Sequence, residues 1–254
     1  MNRPSLARDI AEDLVLHDWA LALWEGGSAA FGRADDLSDL DLVLAVEDGK
    51  VEDAVKIVEA VMERQGGFRQ KWEVPQPAWH GCWQAFYRPE ADSPYFMLDI
   101  CIAERSKPWI LTERQRHGEP LVLFDRIGAA TPTDMAAEDV EKIVQSKLPQ
   151  LEGALEMFAD FPAKELERGR LIDAIYWHQT LVLGRVVGLL RLRHAPERHD
   201  YGFRYLYFDL PESRANLIEE LLFVRDADDL RAKTARALAL GREVAGEIRA
   251  AQNV

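Results

Sequence analysis

Asp39 and Asp41 stand two positions apart at the head of the run Asp39-Leu-Asp-Leu-Val-Leu-Ala-Val46, which first alternates and then becomes continuously apolar before it stops at Asp48-Gly49. That pattern predicts a well-buried strand. Side chains alternate across a strand, so the two carboxylates project from one face while Leu40 and Leu42 enter the core. At a separation of about 5 Å and an effective dielectric of roughly 20, their repulsion amounts to about 3 kcal/mol. A cation would offset it. Hard divalent ions prefer carboxylate oxygens, and Mg²⁺ commonly joins one or two of them to substrate phosphates. Upstream, Gly26-Gly27-Ser28 supplies the complementary half, because paired glycines let backbone N–H groups approach a phosphate and the hydroxyl adds a donor. Each half alone has an ordinary explanation, a helix-terminating turn for the glycines and a surface strand end for the acids. Their occurrence in this order, ten residues apart from Ser28 to Ser38, points to a phosphate and metal site.

The rest of the chain reads as α+β. Leu6, Ile10, Leu14, Ala20, Leu21 and Trp24 recur at near-helical spacing, which predicts a helix from Ser5 to Trp24 ending at Gly26-Gly27. Val51 to Arg64 has helical spacing as well. His80 to Tyr87 and Tyr95 to Ala103 read as strands joined by a turn through Pro89 and Pro94, and Pro120 to Phe124 as a short further strand. Together these make an α/β domain with a mixed sheet over residues 1–130. Thr131-Pro132-Thr133-Asp134 offers an N-cap, a first-turn proline and an acid three residues after the cap. An all-α helical-bundle domain is expected over 131–254, with helices at Met135 to Phe158, Ala163 to His194, Glu212 to Phe223 and Ala227 to Ala251. Leu171 to Leu192, apolar nearly all round, is expected at the bundle centre.

Composition narrows the function classes. With 254 residues, 48% hydrophobic and 30% charged, the chain belongs with folded proteins of one large or two modest domains. The N-terminal stretch is broken by Asp9, Glu12, Asp13, His17 and Asp18, so it offers neither a signal peptide nor a membrane span, and a cytoplasmic protein is expected. The net charge of −13 disfavours nucleic acid as a partner and weakly favours a neutral or cationic acceptor. Cys82 and Cys101 are the only cysteines. Both fall in strand-like runs without zinc-type spacing, and both read as packing residues.

A rival phosphate motif has to be tested, since Gly27 and Gly32 are spaced as in a P-loop. Arg33 stands where the lysine belongs and Ala34 where the magnesium-binding hydroxyl belongs, and the loop is expected to run from a helix into a strand, the reverse of a P-loop. The passage instead resembles the nucleotidyltransferase superfamily that includes DNA polymerase beta, and more closely its antibiotic-modifying adenylyltransferase branch. The resemblance is carried by Gly27-Ser28, Gly32-Arg33 and Ser38-Asp39-Leu40-Asp41-Leu42. That superfamily adds a third carboxylate on a later neighbouring strand, which Leu98-Asp99-Ile100 matches. An ionisable group in so apolar a run needs compensation.

The resemblance implies a two-metal in-line transfer, with Asp39, Asp41 and Asp99 as catalytic residues and Mg²⁺ ligands, and Gly27, Ser28, Arg33 and Ser38 at the nucleotide. Asp99 would either position a metal or accept the acceptor's hydroxyl proton. ATP or another nucleoside triphosphate would donate a nucleoside monophosphate, AMP by the family's habit, to a hydroxyl of a small molecule bound between the two halves, and pyrophosphate would leave. Antibiotics are one such acceptor class. His178 and Arg185, seven apart on one helix face, could reach the acceptor, though a satisfied polar pair between helices has the same spacing. Arg198 to Tyr205 could line a pocket or form a packed interhelical loop. His194 and His199 do not by themselves make a metal site. Trp72, Trp79, Trp83 and Tyr87 could stack a base or the acceptor, or fill the core. Two alternatives from other classes remain: a nucleotide-binding regulatory module acting with a protein partner, and an enzyme modifying a protein or tRNA.

Overall fold

Asn2 opens the first helix, α1 (Arg3–Leu14), by accepting the Ser5 N–H on its side chain while its own N–H reaches the Ser5 hydroxyl. This reciprocal cap satisfies two of the donors a helix start leaves open. The computed structural model describes residues 2–76, 78, 80–91, 93–107 and 112–252, and the chain divides into two units, Met1–Asp134 and Met135–Val254.

The expected helix to Trp24 is corrected. The chain turns after α1 and enters a strand, β1 (Ala20–Glu25), all six residues of which are buried. A strand covered on both faces is apolar at every position, so its periodicity cannot be told from that of a buried helix. There follow α2 (Gly27–Ala30), β2 (Leu40–Val46), α3 (Val51–Arg64), β3 (Phe68–Glu73), β4 (Trp83–Pro89), β5 (Leu98–Glu104), α4 (Arg114–His117) and β6 (Leu121–Asp125). Strand β3 escaped the sequence reading because five of its six residues are exposed.

Among the described residues, six strands form one sheet in the order β3-β4-β5-β2-β1-β6. Only the β2–β5 pair is parallel, so the sheet is mixed. One face carries Leu40, Leu42, Leu44, Leu98, Ile100, Ile102 and Tyr87 onto α1 and α3, whose buried residues include Leu6, Ile10, Val58 and Met62. Part of the other face, Trp24, Val43 and Ala45, is covered by Ala129 and Ala130. The remainder of that face bears polar and aromatic side chains.

The second unit is helical: α5 (Ala137–Met157), α6 (Phe161–Glu167), α7 (Leu171–Trp177), a π-helical segment His178–Leu183, α8 (Gly184–His194), α9 (Leu206–Asp209), α10 (Glu212–Leu222) and α11 (Ala227–Gln252). Its core is built on Leu155, Val186, Leu189, Leu190, Leu240 and Val244. The expected cap at Thr131 to Asp134 does not form. Thr133 pairs with Glu113 in a β-bridge, Arg114 takes Asp134 at 2.6 Å, and the helix begins after Ala136 without a side-chain cap. Leu171 to Leu192 is buried only in its second half; Ile172 is 85% exposed, whereas Val186, Val187, Leu189 and Leu190 are buried. No helix among the described residues is long and apolar enough to cross a membrane.

Candidate functional site

Cross-strand partners share a face of a sheet, and the register places Asp41 beside Asp99, Asp99 beside Phe86, and Phe86 beside Trp72. One row thus crosses four strands. It runs from two abreast carboxylates on the parallel pair β2–β5 to an aromatic pair at the edge, where Trp72 and Phe86 stack at 5.5 Å. Asp39 lies immediately before β2, where burial raises its pKa against the Arg88 charge and the Met97 N–H.

The charges are unbalanced. Burial pushes the Asp41 carboxyl up to about 6, reinforced by Asp99, Asp39 and Glu25 in turn, with Arg3 opposing. Asp99 is raised by burial, against the hydrogen bond it accepts from Gln84 Nε2 at 2.7 Å, and raised again by Asp39. Glu25, at the end of β1 beside Leu42, is a fourth acid acting on Asp41, and the near-helical spacing of the run to Trp24 conceals it in the sequence. Its burial raises its pKa, and Arg3 draws it back through a 2.7 Å bond from Nε. A lone acid closing an apolar run before Gly-Gly was the available signal.

The glycine turn is built into this charge cluster. Gly26 donates its N–H to the Asp41 carbonyl at 2.9 Å, and Gly27 begins α2 at a φ of +55°. A Cβ on Gly27 would lie 1.8 Å from Asp41 Oδ2. Only glycine brings the backbone so close to the carboxylate. Ser28 sits within α2. Arg33 lies 4.9 Å over the Phe31 ring. The Ser38 hydroxyl donates to Asp35 Oδ1 at 2.8 Å and accepts the Asp35 N–H at 2.9 Å, so it closes the turn of residues 35–38. The contextual argument against a P-loop is also corrected, since Gly27 follows a strand and opens a short helix. The helix lies between the two glycines, however, and Arg33 and Ala34 still replace the diagnostic pair.

The acidic set suits a hard divalent ion, having carboxylate oxygens abreast on one face, raised proton affinities and a backbone turn against one of them. Among the described residues, the trio of potential ligand atoms that converges most tightly is a different one: His80, Cys82 and Cys101, all within 4.8 Å of one another. Cys82 stands just before β4 and Cys101 lies in β5, both buried. The hydrogen bond between the thiols draws Cys82 down and pushes Cys101 up.

His178 is fully buried, with Nε2 3.1 Å from the Leu221 carbonyl and Nδ1 3.0 Å from the Thr234 hydroxyl. It is a satisfied polar contact between helices. Arg185 is half-buried on α8. The π-helical segment between them breaks the 3.6-residue register that their pairing assumed. In the stretch Arg198 to Tyr205, Arg191 and Arg198 hold Asp209 at 2.8 and 2.7 Å and Arg191 also donates to the Gly202 and Arg204 carbonyls, while Phe203 and Tyr205 are exposed. Of the aromatics, Trp83 donates to Glu73, Tyr87 is buried against Glu59, and Trp79 lies outside the described residues. Trp72 is 55% exposed and, with Gln70, Phe86, Arg88 and Met97, lines an open depression of about 370 Å³.

No family model and no curated protein matches the chain. Among solved structures it is similar to an aminoglycoside 6-adenyltransferase from Bacillus subtilis, at 13% identity and a TM-score of 0.39 over 94% of this chain and 88% of that one.

Proposed function

We propose that the N-terminal unit is a metal-dependent nucleotidyltransferase that moves a nucleoside monophosphate onto a hydroxyl of a small-molecule acceptor and releases pyrophosphate. The observation that carries this reading is the pairing of Asp41 and Asp99 abreast on parallel strands, with the Gly27 backbone seated on the Asp41 carboxylate. Asp39, Asp41 and Asp99 would hold Mg²⁺, which when bound supplies polarisation of the α-phosphate and neutralises the leaving pyrophosphate. The N–H groups of Gly27 and Ser28 and the Ser28 hydroxyl receive the phosphate chain, whose charge the acidic face would otherwise repel. Arg33 offers a further positive charge in the same loop. Asp99, made more basic than an ordinary carboxylate by burial, takes the proton of the acceptor hydroxyl on its carboxylate. Its bond from Gln84 keeps the side chain aimed along the face.

ATP is the donor that the sequence resemblance favours, and the acceptor is a small molecule rather than a polyanion on charge grounds. The test is Mg²⁺-dependent pyrophosphate release from each of the four ribonucleoside triphosphates, with acceptor pools of aminoglycosides, lincosamides, tRNA and protein extract. Release that needs one pool and falls by about 100-fold or more in Asp41→Asn and in Asp99→Asn is the expected result. Turnover retained in both variants overturns the assignment. Tight triphosphate binding with no release from any pool would favour the regulatory module.

A further inference from the structure

His80, Cys82 and Cys101 take no part in the transfer, yet they share the sheet face that carries Asp99. Gln84 pairs with Cys101 in register and bonds to Asp99. The cysteines are 3% and 7% exposed. Two buried thiols alone are ordinary core residues. The imidazole beside them is what distinguishes this cluster.

Its tautomer follows from its neighbours. An ionised carboxylate can only accept, so the atom of Gln84 that faces Asp99 at 2.7 Å is the amide nitrogen, and the atom that faces His80 Nε2 at 3.1 Å is the carbonyl oxygen. That oxygen must accept as well. Nε2 therefore carries the ring proton, and the Nδ1 lone pair accepts the Cys82 N–H at 3.2 Å, a bond that a metal on Nδ1 would replace. Metal-binding histidines are held in this way, the far nitrogen donating to a carbonyl or carboxylate and the near one turned to the ion.

We propose that His80 Nδ1, Cys82 Sγ and Cys101 Sγ form a zinc site. On binding Zn²⁺ the two thiols release their protons, and two thiolates with one neutral imidazole leave the site without net charge, which suits its burial. Three protein ligands leave the fourth tetrahedral position to water. Sulfur and imidazole donors reject Mg²⁺, while the neighbouring carboxylates prefer it. One sheet face thus sorts two metal chemistries, with Gln84 between them. The zinc site stands whether or not the carboxylates transfer nucleotides.

Cys82 and Cys101 are the chain's only cysteines, so any thiolate-to-metal charge-transfer absorption must come from them. The full-length protein, stripped of metal and kept reduced with a phosphine, is titrated with Co²⁺. Near-ultraviolet charge-transfer bands and strong tetrahedral d–d bands should saturate at one ion per chain and vanish when Zn²⁺ is added. They should persist in Asp41→Asn, and affinity should fall by about 10- to 100-fold in Gln84→Ala. Circular dichroism would show that Cys82→Ser, expected to lose the bands, still folds. Wild-type protein that gives only weak octahedral bands, or that binds zinc no more tightly than Cys82→Ser, overturns the proposal without reference to any variant's activity.

Discussion

Asp41 is held in the fold at a cost that depends on pH. Its carboxyl titrates near 6 in the folded chain against an ordinary value of 3.8, so the native state binds more protons than the unfolded one across that window. Stability is therefore highest below the lower value and declines as pH rises through the upper one. At about 1.4 kcal/mol per pH unit the loss is about 3 kcal/mol, an upper figure for a group near the surface. Replacing the carboxylate with its neutral isostere removes the penalty together with the metal ligand. Asp41→Asn is expected to melt higher than the native protein at neutral pH without divalent ions, by about 1 to 3 kcal/mol, with the difference closing near pH 4. Equal melting temperatures at neutral pH would show that the carboxylate is already compensated by the protein itself. Mg²⁺ should stabilise the native chain more than the variant.

Among the helices, the π-helical segment His178–Leu183 has the clearest pH signature. His178 joins α10 through the Leu221 carbonyl and α11 through Thr234, and burial holds its imidazole below the ordinary 6.5, with Lys233 adding to the effect and the Leu221 bond opposing it. The unfolded chain takes up the proton first, so this contribution is present above 6.5 and is lost as pH falls below it. The stability advantage of the native chain over His178→Gln should shrink on acidification from neutral pH to about 5; parallel stability curves would contradict it. The 3.6-residue period gave α3, which has one solvated face, and β2 was legible from the alternation of Asp39 to Leu42 that opens its apolar run. The failures share a physical cause: β1, buried on both sides, shows no period, and β3, exposed on nearly all of it, shows no apolar face. The cap at Thr131 failed because backbone pairing to Glu113 and the Asp134–Arg114 ion pair used those groups elsewhere.

For the molecule as a whole, charge is the broadest constraint. At −13, bulk tRNA should show no retention at physiological salt in a filter-binding assay, because so acidic a chain offers too few clustered cations to displace the RNA's condensed counterions; tight binding that weakens steeply with salt would reveal a concentrated basic surface. The candidate site was legible where it is local, since Gly27, Ser28, Asp39 and Asp41 lie within one short stretch of chain. What pairing assembles was less so. Asp99 was legible through the family pattern that its apolar flanks match, but Gln84 and His80 reach its face only through strand pairing, and Glu25 and Arg3 act on Asp41 from the opposite face, where Glu25 pairs with Leu42. The row Trp72, Phe86, Asp99, Asp41 is the clearest product of that register. Adjacent strands lie about 4.8 Å apart, so two steps of about 10 Å in all separate the exposed indole from the carboxylate at Asp99. The sheet is in effect a ruler: a molecule that stacks on Trp72 while offering a hydroxyl to Asp99 must span about 7 Å from stacked ring to hydroxyl, the two strand steps less one hydrogen bond, and shorter ones can touch one end or the other but not both.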